Sequence, residues 1–256
     1  MSLSLDFSGK TVLVTGGGKG VGRGISERFL DAGAEVVICG RNEPDTLPEG
    51  DGRCARFQAA DVRDLEQLQA LVDGIVSQSG KLDVLINNAG GAPEVEATTA
   101  SPRFHEKIIG LNMLAPIHLS QIANLQMQKQ EEGGAIVSIT SVSGQRPSPG
   151  TAAYGAAKAG VVSWTQSVGV EWAPKVRINT ISAGLVLTEQ AELHFGKGEL
   201  LARVEATVPL ARLATPREVG DVCVYLASPM AAYITGADLL VHGGGEWPAF
   251  YAVTHS

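Results

Sequence analysis

Short apolar runs, separated by longer stretches of helical periodicity, constrain the fold of this chain more than any other feature. Seven such runs occur, at 11–15 (TVLVT), 35–39 (EVVIC), 53–57, 82–86, 135–140 (AIVSIT), 176–180 and 237–241. Most are apolar without alternation, as in strands covered on both faces; a half-solvated strand alternates. Helix-patterned stretches lie between them at about 22–32, 64–79, 102–131, 152–173, 189–204 and 216–227. Strands and helices in this rhythm read as βαβ units. The expectation is an α/β, doubly wound Rossmann fold with a seven-stranded, mainly parallel sheet and helices on both faces. No linker, charge block or repeat interrupts the rhythm, so residues 1–256 are expected to form one domain. The segment at about 185–209 departs from it and reads either as a lid or binding loop or as a surface excursion.

The charge balance limits the partners. Twenty basic residues against 27 acidic give a net charge of −7, whereas nucleic-acid and anionic-membrane surfaces need a basic footprint. A small-molecule substrate is expected, with no nucleic acid and no membrane. The three cysteines lie far apart without CxxC spacing and the five histidines without HExxH, so neither a disulfide framework nor a metal site is indicated. No window approaches the roughly 18 apolar residues of a membrane span, and the first residues carry no signal-peptide run. A cytoplasmic protein is the reading that fits.

Glycine is in excess, at 31 residues, roughly 12% against a usual 7%. Part of the excess lies directly after the first strand in TGGGKGVG, Thr15 to Gly22. Glycine there permits positive φ in a tight turn and lets backbone approach a pyrophosphate at a helix N-terminus. GxGxxG is not matched; TGxxxGxG is. After the second strand comes Gly40-Arg41, where an NAD-preferring fold places an acidic residue for the ribose 2′-hydroxyl. A guanidinium suits a 2′-phosphate, and Lys19 approaches from the glycine loop. NADP(H) is therefore the preferred cofactor, with NAD(H) as the alternative. Asn87-Asn88-Ala89-Gly90 follows the fourth strand, either as an ordinary turn or as the wall of a cofactor crevice.

Ser141, Tyr154 and Lys158 carry the most specific signal. Tyr154 and Lys158 are i and i+4, on one face of a helix. A unit charge about 4 Å from the phenol, at an effective dielectric near 20, is worth roughly 4 kcal/mol, or about three pKa units. On that argument Lys158 lowers the pKa of Tyr154 and makes it a usable acid and base. Ser141 ends a strand at the carboxyl edge of the sheet, where a substrate carbonyl would be held.

Through TGGGKGVG, NNAG, Ser141, YGAAK and Asn112 in LNMLAP, the sequence resembles the short-chain dehydrogenase/reductase family across essentially the whole chain. The resemblance is to the compact single-domain form, which includes 3-oxoacyl thioester reductases and dehydrogenases of sterols and other alicyclic alcohols. It implies an oxidoreductase acting on carbonyl or secondary alcohol groups. It also implies roles: Tyr154 as proton donor, Ser141 on the substrate oxygen, Lys158 on the phenol and the nicotinamide ribose, and Asn112 holding a relay water. Gly16, Gly18, Lys19, Gly20, Val21 and Gly22 would meet the phosphates, with Arg41, Asp61 and Val62 at the adenosine end. Asn88, Ala89, Gly90, Gly184, Val186 and Thr188 would line the rest of the cofactor. A homotetramer, formed through the helices at 102–131 and 152–173, is likewise implied. Ala183 stands where the family commonly has proline, which is expected to loosen the following loop. A non-catalytic NADP(H) sensor or scaffold is the rival reading, but it has no need of Asn112, Ser141, Tyr154 and Lys158 together.

Three features have no assigned role. Leu193, Phe195, Leu200, Leu201 and Val204 are either a pocket lining or one side of a helix. The aromatic tail with Trp247, Phe250 and Tyr251 is expected to pack against a neighbouring subunit or over a pocket mouth. Arg146 and Arg203 are candidates for a substrate phosphate or are simply solvated.

Overall fold

The computed structural model describes residues 5–191 and 195–254. Seven strands form one sheet in the order β5-β2-β1-β6-β7-β8-β9, every adjacent pair parallel. They are β1 Thr11–Thr15, β2 Glu35–Gly40, β5 Arg56–Ala59, β6 Val84–Asn87, β7 Gly134–Ser141, β8 Val176–Ala183 and β9 Asp238–Val241. The chain builds outward from β1 in one direction through β2 and β5, then returns and builds the other way from β6. The strand order thus reverses between β1 and β6, opening a crevice at their carboxyl ends.

Side chains of one strand divide between two cores. Val12 and Val14 pack with Ile25, Phe29, Val219 and Cys223, from helices α1 (Gly20–Asp31) and α7 (Pro216–Ala227). Leu13 points the other way, toward Leu68, Leu71, Leu119 and Val168. These belong to α2 (Leu65–Ser79), α4 (Ala115–Met127) and α5 (Ala152–Glu171). This explains the unbroken apolar runs, since both faces of each central strand are covered.

The run at 53–57 is not one strand. Arg53–Cys54 (β4) pairs antiparallel with Glu49–Gly50 (β3) in a separate ribbon, and the sheet strand starts only at Arg56, opposite Val37. The Ala55 N–H donates to the Pro48 carbonyl at 2.9 Å and closes the ribbon at that point. The expected helix at 102–131 is also broken up. It begins as α3 (Pro102–Ile109), passes through a π-helical turn at Gly110–Leu114 and ends with α4 at Met127. By length and composition the stretch Pro102–Met127 could cross a membrane, contrary to the sequence expectation. Here its Leu119, Ala123 and Met127 are packed on the sheet as core. From the expected helix at 189–204, α6 forms at Glu199–Glu205, and a last short helix, α8, spans Ala249–Thr254.

Helix starts show which end is open. Asp64, Ser101 and Thr215 cap α2, α3 and α7 with their own side chains, Thr215 in a reciprocal box with Glu218. Lys19, at the start of α1, gives no such bond, and α1 has no acidic residue in its first turn. The start of α1 lies at the crevice between β1 and β6, with Lys19, Gly20, Val21 and Gly22 in its wall.

Candidate active site

A groove of about 560 Å³ runs along the carboxyl edge of the sheet. At its phosphate end, Gly16, Lys19, Gly20, Val21 and Gly22 form the wall. A Cβ at Gly22 would lie 2.2 Å from the Gly16 carbonyl oxygen and 2.5 Å from Asn88 Nδ2, so no other residue fits the turn unmoved. Asn88 closes it by donating to the Thr15 carbonyl at 3.0 Å, while Thr15 Oγ1 accepts from the N–H groups of Asn88 and Ala89 at 2.9 Å. Gly18 does not line the groove. A Cβ there would meet Pro44 at 2.9 Å, so a side chain at this position would crowd the following loop.

Arg41, Asp61 and Val62 line the opposite end, joined by Arg63, which the sequence reading missed. Arg63 forks onto Asp61 through Nε at 2.9 Å and Nη2 at 2.6 Å, holding that carboxyl down at about 2. The only sequence hint was a cation two residues beyond Asp61.

The chemical centre lies between. Ser141, the last residue of β7, shares the groove wall with Tyr154 and accepts from the Ser143 N–H at 3.1 Å. Lys158 is buried, donates from Nζ to the Ile139 carbonyl at 2.8 Å and lies 5.5 Å from the centre of the Tyr154 ring. Burial pushes Lys158 down to about 8. The expected depression of Tyr154 is not found: burial raises the phenol, and the neighbouring Ser141 hydroxyl offsets this only in part. The lysine proton is directed at a carbonyl instead, and the half-buried Tyr154 lines the groove.

Asn112 is fully buried at the π-helical turn and does not line the groove. Its Nδ2 donates to the carbonyls of Gly91 and Ile108, both at 3.0 Å, and its Oδ1 accepts from the Gly91 N–H at 2.8 Å. Both amide protons are thus committed to protein, so a relay water would be held through an Asn112 oxygen. Gly90 sits between two of these groups; a Cβ there would lie 2.7 Å from Asn112 Oδ1 and 3.3 Å from Lys158 Nζ.

Beyond β8, Gly184, Val186 and Thr188 line the groove with Glu189. Ala183 pairs with Ser141 on one side and Val241 on the other, so sheet pairing orders the backbone without proline. A parallel bridge continues this order: Leu187 donates to Ala214 at 2.8 Å and Ala214 to Leu185 at 3.0 Å. Of the apolar set in this segment, Phe195 lines the groove, Leu200 is exposed, Leu201 and Val204 are half-buried, and Leu193 lies outside the described residues. Arg203 is exposed, and Arg146 is engaged by Glu246 at 2.6 Å.

Residues 16–246 match the family model described as enoyl-(acyl carrier protein) reductase. The chain is 34% identical to the 3-oxoacyl-(acyl-carrier-protein) reductase FabG of Vibrio harveyi, over 94% of this chain and 98% of that one. The chain belongs to the short-chain dehydrogenase/reductase family. Among solved members, 7α-hydroxysteroid dehydrogenase complexed with NADH and 7-oxo glycochenodeoxycholic acid superimposes with a TM-score of 0.86. It shares 28% identity, with 96% of this chain and 97% of that one covered. The ligand-free aldohexose dehydrogenase of Thermoplasma acidophilum gives 0.85 at 29% identity, with 94% of each chain covered. As a member of this family, the protein is an oxidoreductase acting on CH–OH or C=O groups with a nicotinamide dinucleotide.

Proposed function

We propose that this short-chain dehydrogenase/reductase transfers a hydride between NADP(H) and a ketone or secondary alcohol, with 3-oxoacyl thioesters as the leading substrate class. The observation that carries the reading is that Ser141, Tyr154 and the buried Lys158 line one groove at the sheet's carboxyl edge, with the Lys158 Nζ 5.5 Å from the centre of the Tyr154 ring. The residues present fit a dinucleotide: no local side chain caps α1, and the Gly22 cradle is one that a Cβ would fill. A bound nicotinamide supplies or accepts the hydride.

The protein's part is orientation and proton transfer. Ser141 donates a hydrogen bond to the substrate oxygen and stabilises the charge that builds there. Tyr154 delivers its proton to that oxygen in reduction and recovers it in oxidation. Lys158 stabilises the phenolate left behind and, beside Gly90, binds ribose hydroxyls. Asn112 fixes Gly91 through its amide and anchors the relay water through an oxygen. Gly16, Gly20, Val21 and Gly22 hold the phosphates, Lys19 and Arg41 take the 2′-phosphate, and Asp61 and Val62 border the adenine. Asn88, Ala89 and Gly90 line the middle of the cofactor, and Gly184, Val186 and Thr188 line its nicotinamide end.

The same reading takes residues 1–256 as one domain, with 185–209 closing over the substrate. It also takes the protein as a cytoplasmic homotetramer; free thiols at Cys39, Cys54 and Cys223 fit a reducing compartment, and exposed Leu114, Leu125 and Val170 along the long helices fit an assembly face. An NAD-linked alcohol or hydroxysteroid-type dehydrogenase is the second reading, supported by the structural relative complexed with NADH. Following NADPH and NADH consumption with a panel of ketones, oxo-steroids and 3-oxoacyl thioesters tests both. NADPH turnover highest with the thioesters is expected; faster turnover with NADH and an oxo-steroid selects the second reading, and no turnover with any carbonyl defeats both.

A further inference from the structure

The phosphate end of the groove contains a contact that this chemistry does not use. The backbone N–H of Gly20, the first residue of α1, donates to Glu189 Oε1 at 2.9 Å, joining positions 169 residues apart. No local side chain caps α1, so the carboxylate that its positive end takes comes from the segment after β8. That segment is pinned at Leu185 and Leu187 by Ala214. The Thr188 methyl then lies 3.7 Å from a Cβ position at Gly20, and Ala191 is buried. Glu189 itself is exposed and can swing into water without disturbing packing.

We propose that Glu189 is a carboxylate latch: it takes the Gly20 amide that a dinucleotide phosphate requires, ties residues 188–191 to the phosphate turn, and is displaced when the cofactor enters. The proposal rests on the dinucleotide reading of the groove. Two anions do not share one N–H, and a carboxylate beside a pyrophosphate is repelled by it. Cofactor entry therefore releases Glu189 from the phosphate turn, and the carboxylate lowers cofactor affinity. This makes Glu189 a positioning residue, with no place in the proton or hydride transfer.

The test compares NADPH dissociation constants of the full-length wild type, Glu189→Gln and Glu189→Ala, together with hydrogen exchange across 188–191. Glutamine keeps the shape and removes the charge, and equal melting temperatures establish that each variant is folded. Both variants are expected to bind NADPH about fivefold tighter, the size of an anion contact at a helix terminus. Inorganic pyrophosphate alone is expected to speed exchange across 188–191 in the wild type and to leave Glu189→Ala, which has no acceptor for the Gly20 N–H, unchanged. Wild-type or weaker NADPH affinity in both variants overturns the latch while leaving the dinucleotide reading intact. Failure of the wild type to bind NADPH or NADH overturns both.

Discussion

Lys158 places its Nζ 5.5 Å from the centre of the Tyr154 ring and donates to the Ile139 carbonyl at 2.8 Å. The pair is therefore arranged to stabilise a phenolate once it forms, while burial keeps the phenol protonated beforehand. Such an arrangement holds the proton until a substrate oxygen takes it. Replacing Tyr154 with Phe is expected to cut kcat by about 10³-fold, within the usual range for a general acid. The dissociation constant for NADPH should change less than twofold. Retention of most of the turnover would remove Tyr154 from the proposed role.

Burial of Lys158 also has a cost that depends on pH. Its pKa falls from an ordinary 10.5 to about 8, so between those values the unfolded chain binds more protons than the folded one. Stability attributable to this residue therefore rises with pH across that window, and below about pH 8 the buried ammonium costs roughly 3 kcal/mol. Lys158→Met is expected to abolish turnover and yet raise the melting temperature of the ligand-free protein at pH 7. The gain is about 2–6 °C after the lost Ile139 bond is counted, and it should shrink as the pH approaches 10. A lower melting temperature at pH 7 contradicts the burial argument.

Gly90 tests whether Asn112 and Lys158 act through fixed geometry. A methyl there meets Asn112 Oδ1 at 2.7 Å and Lys158 Nζ at 3.3 Å, and the backbone needs no positive φ, so the effect is purely steric. Displacements approaching 1 Å at a reacting centre cost about 10²-fold in rate. Gly90→Ala should accordingly lower kcat/KM by about that factor, with the larger part in kcat. A change confined to KM would place these groups in binding alone.

Arg41 and Lys19 are exposed residues lining the groove. Charge-assisted bonds to a phosphate are worth about 1.5–3 kcal/mol each. Arg41→Ala is expected to lower kcat/KM with NADPH by about 10- to 100-fold and to leave the NADH value within threefold, with Lys19→Ala following the same pattern more weakly. Equal losses with both cofactors would count against a 2′-phosphate contact.

Most of this architecture was legible because local pattern and tertiary position agree. TVLVT and EVVIC are apolar throughout because helices cover both faces, and the Gly22 turn is glycine because the Gly16 carbonyl fills the space of a side chain. Where pattern and position part, the reading failed. Residues 53–57 look like one strand, but the bond from Ala55 to Pro48 divides them between a ribbon and the sheet. Asn112 sits on a π-helical turn that helical periodicity does not reveal. Glu189 was invisible as a functional residue, since its partner lies 169 positions away and any surface carboxylate looks the same in sequence. The direction of the Tyr154 shift was missed for a related reason: i,i+4 spacing reports proximity, while burial is a property of the packed site.

The glycines at 243–245, unexplained by sequence, now carry a prediction about the tail. Gly243, Gly244 and Gly245 have φ of 64°, 97° and 85°, the left-handed region that glycine adopts at no steric cost. The turn brings the chain back onto the segment before α7: Leu210 donates to the Gly243 carbonyl at 3.1 Å and Trp247 to Thr207 at 3.2 Å. Trp247 stacks on Tyr251 at 5.0 Å, and Arg146 holds Glu246. Beneath lies a cavity of about 240 Å³ that shares Gly184 with the main groove and is lined by Val142, Leu185 and Val208. A Cβ at Gly244 would meet Pro209 at 2.9 Å as well as straining the backbone, for a combined cost of about 1–3 kcal/mol. Gly244→Ala should therefore loosen the tail and the wall of this cavity together. KM for the carbonyl substrate is expected to rise about fivefold while NADPH affinity stays within twofold, because Gly16, Gly20 and Gly22 are untouched. If NADPH affinity falls in parallel with KM, the tail supports the whole groove rather than its substrate end.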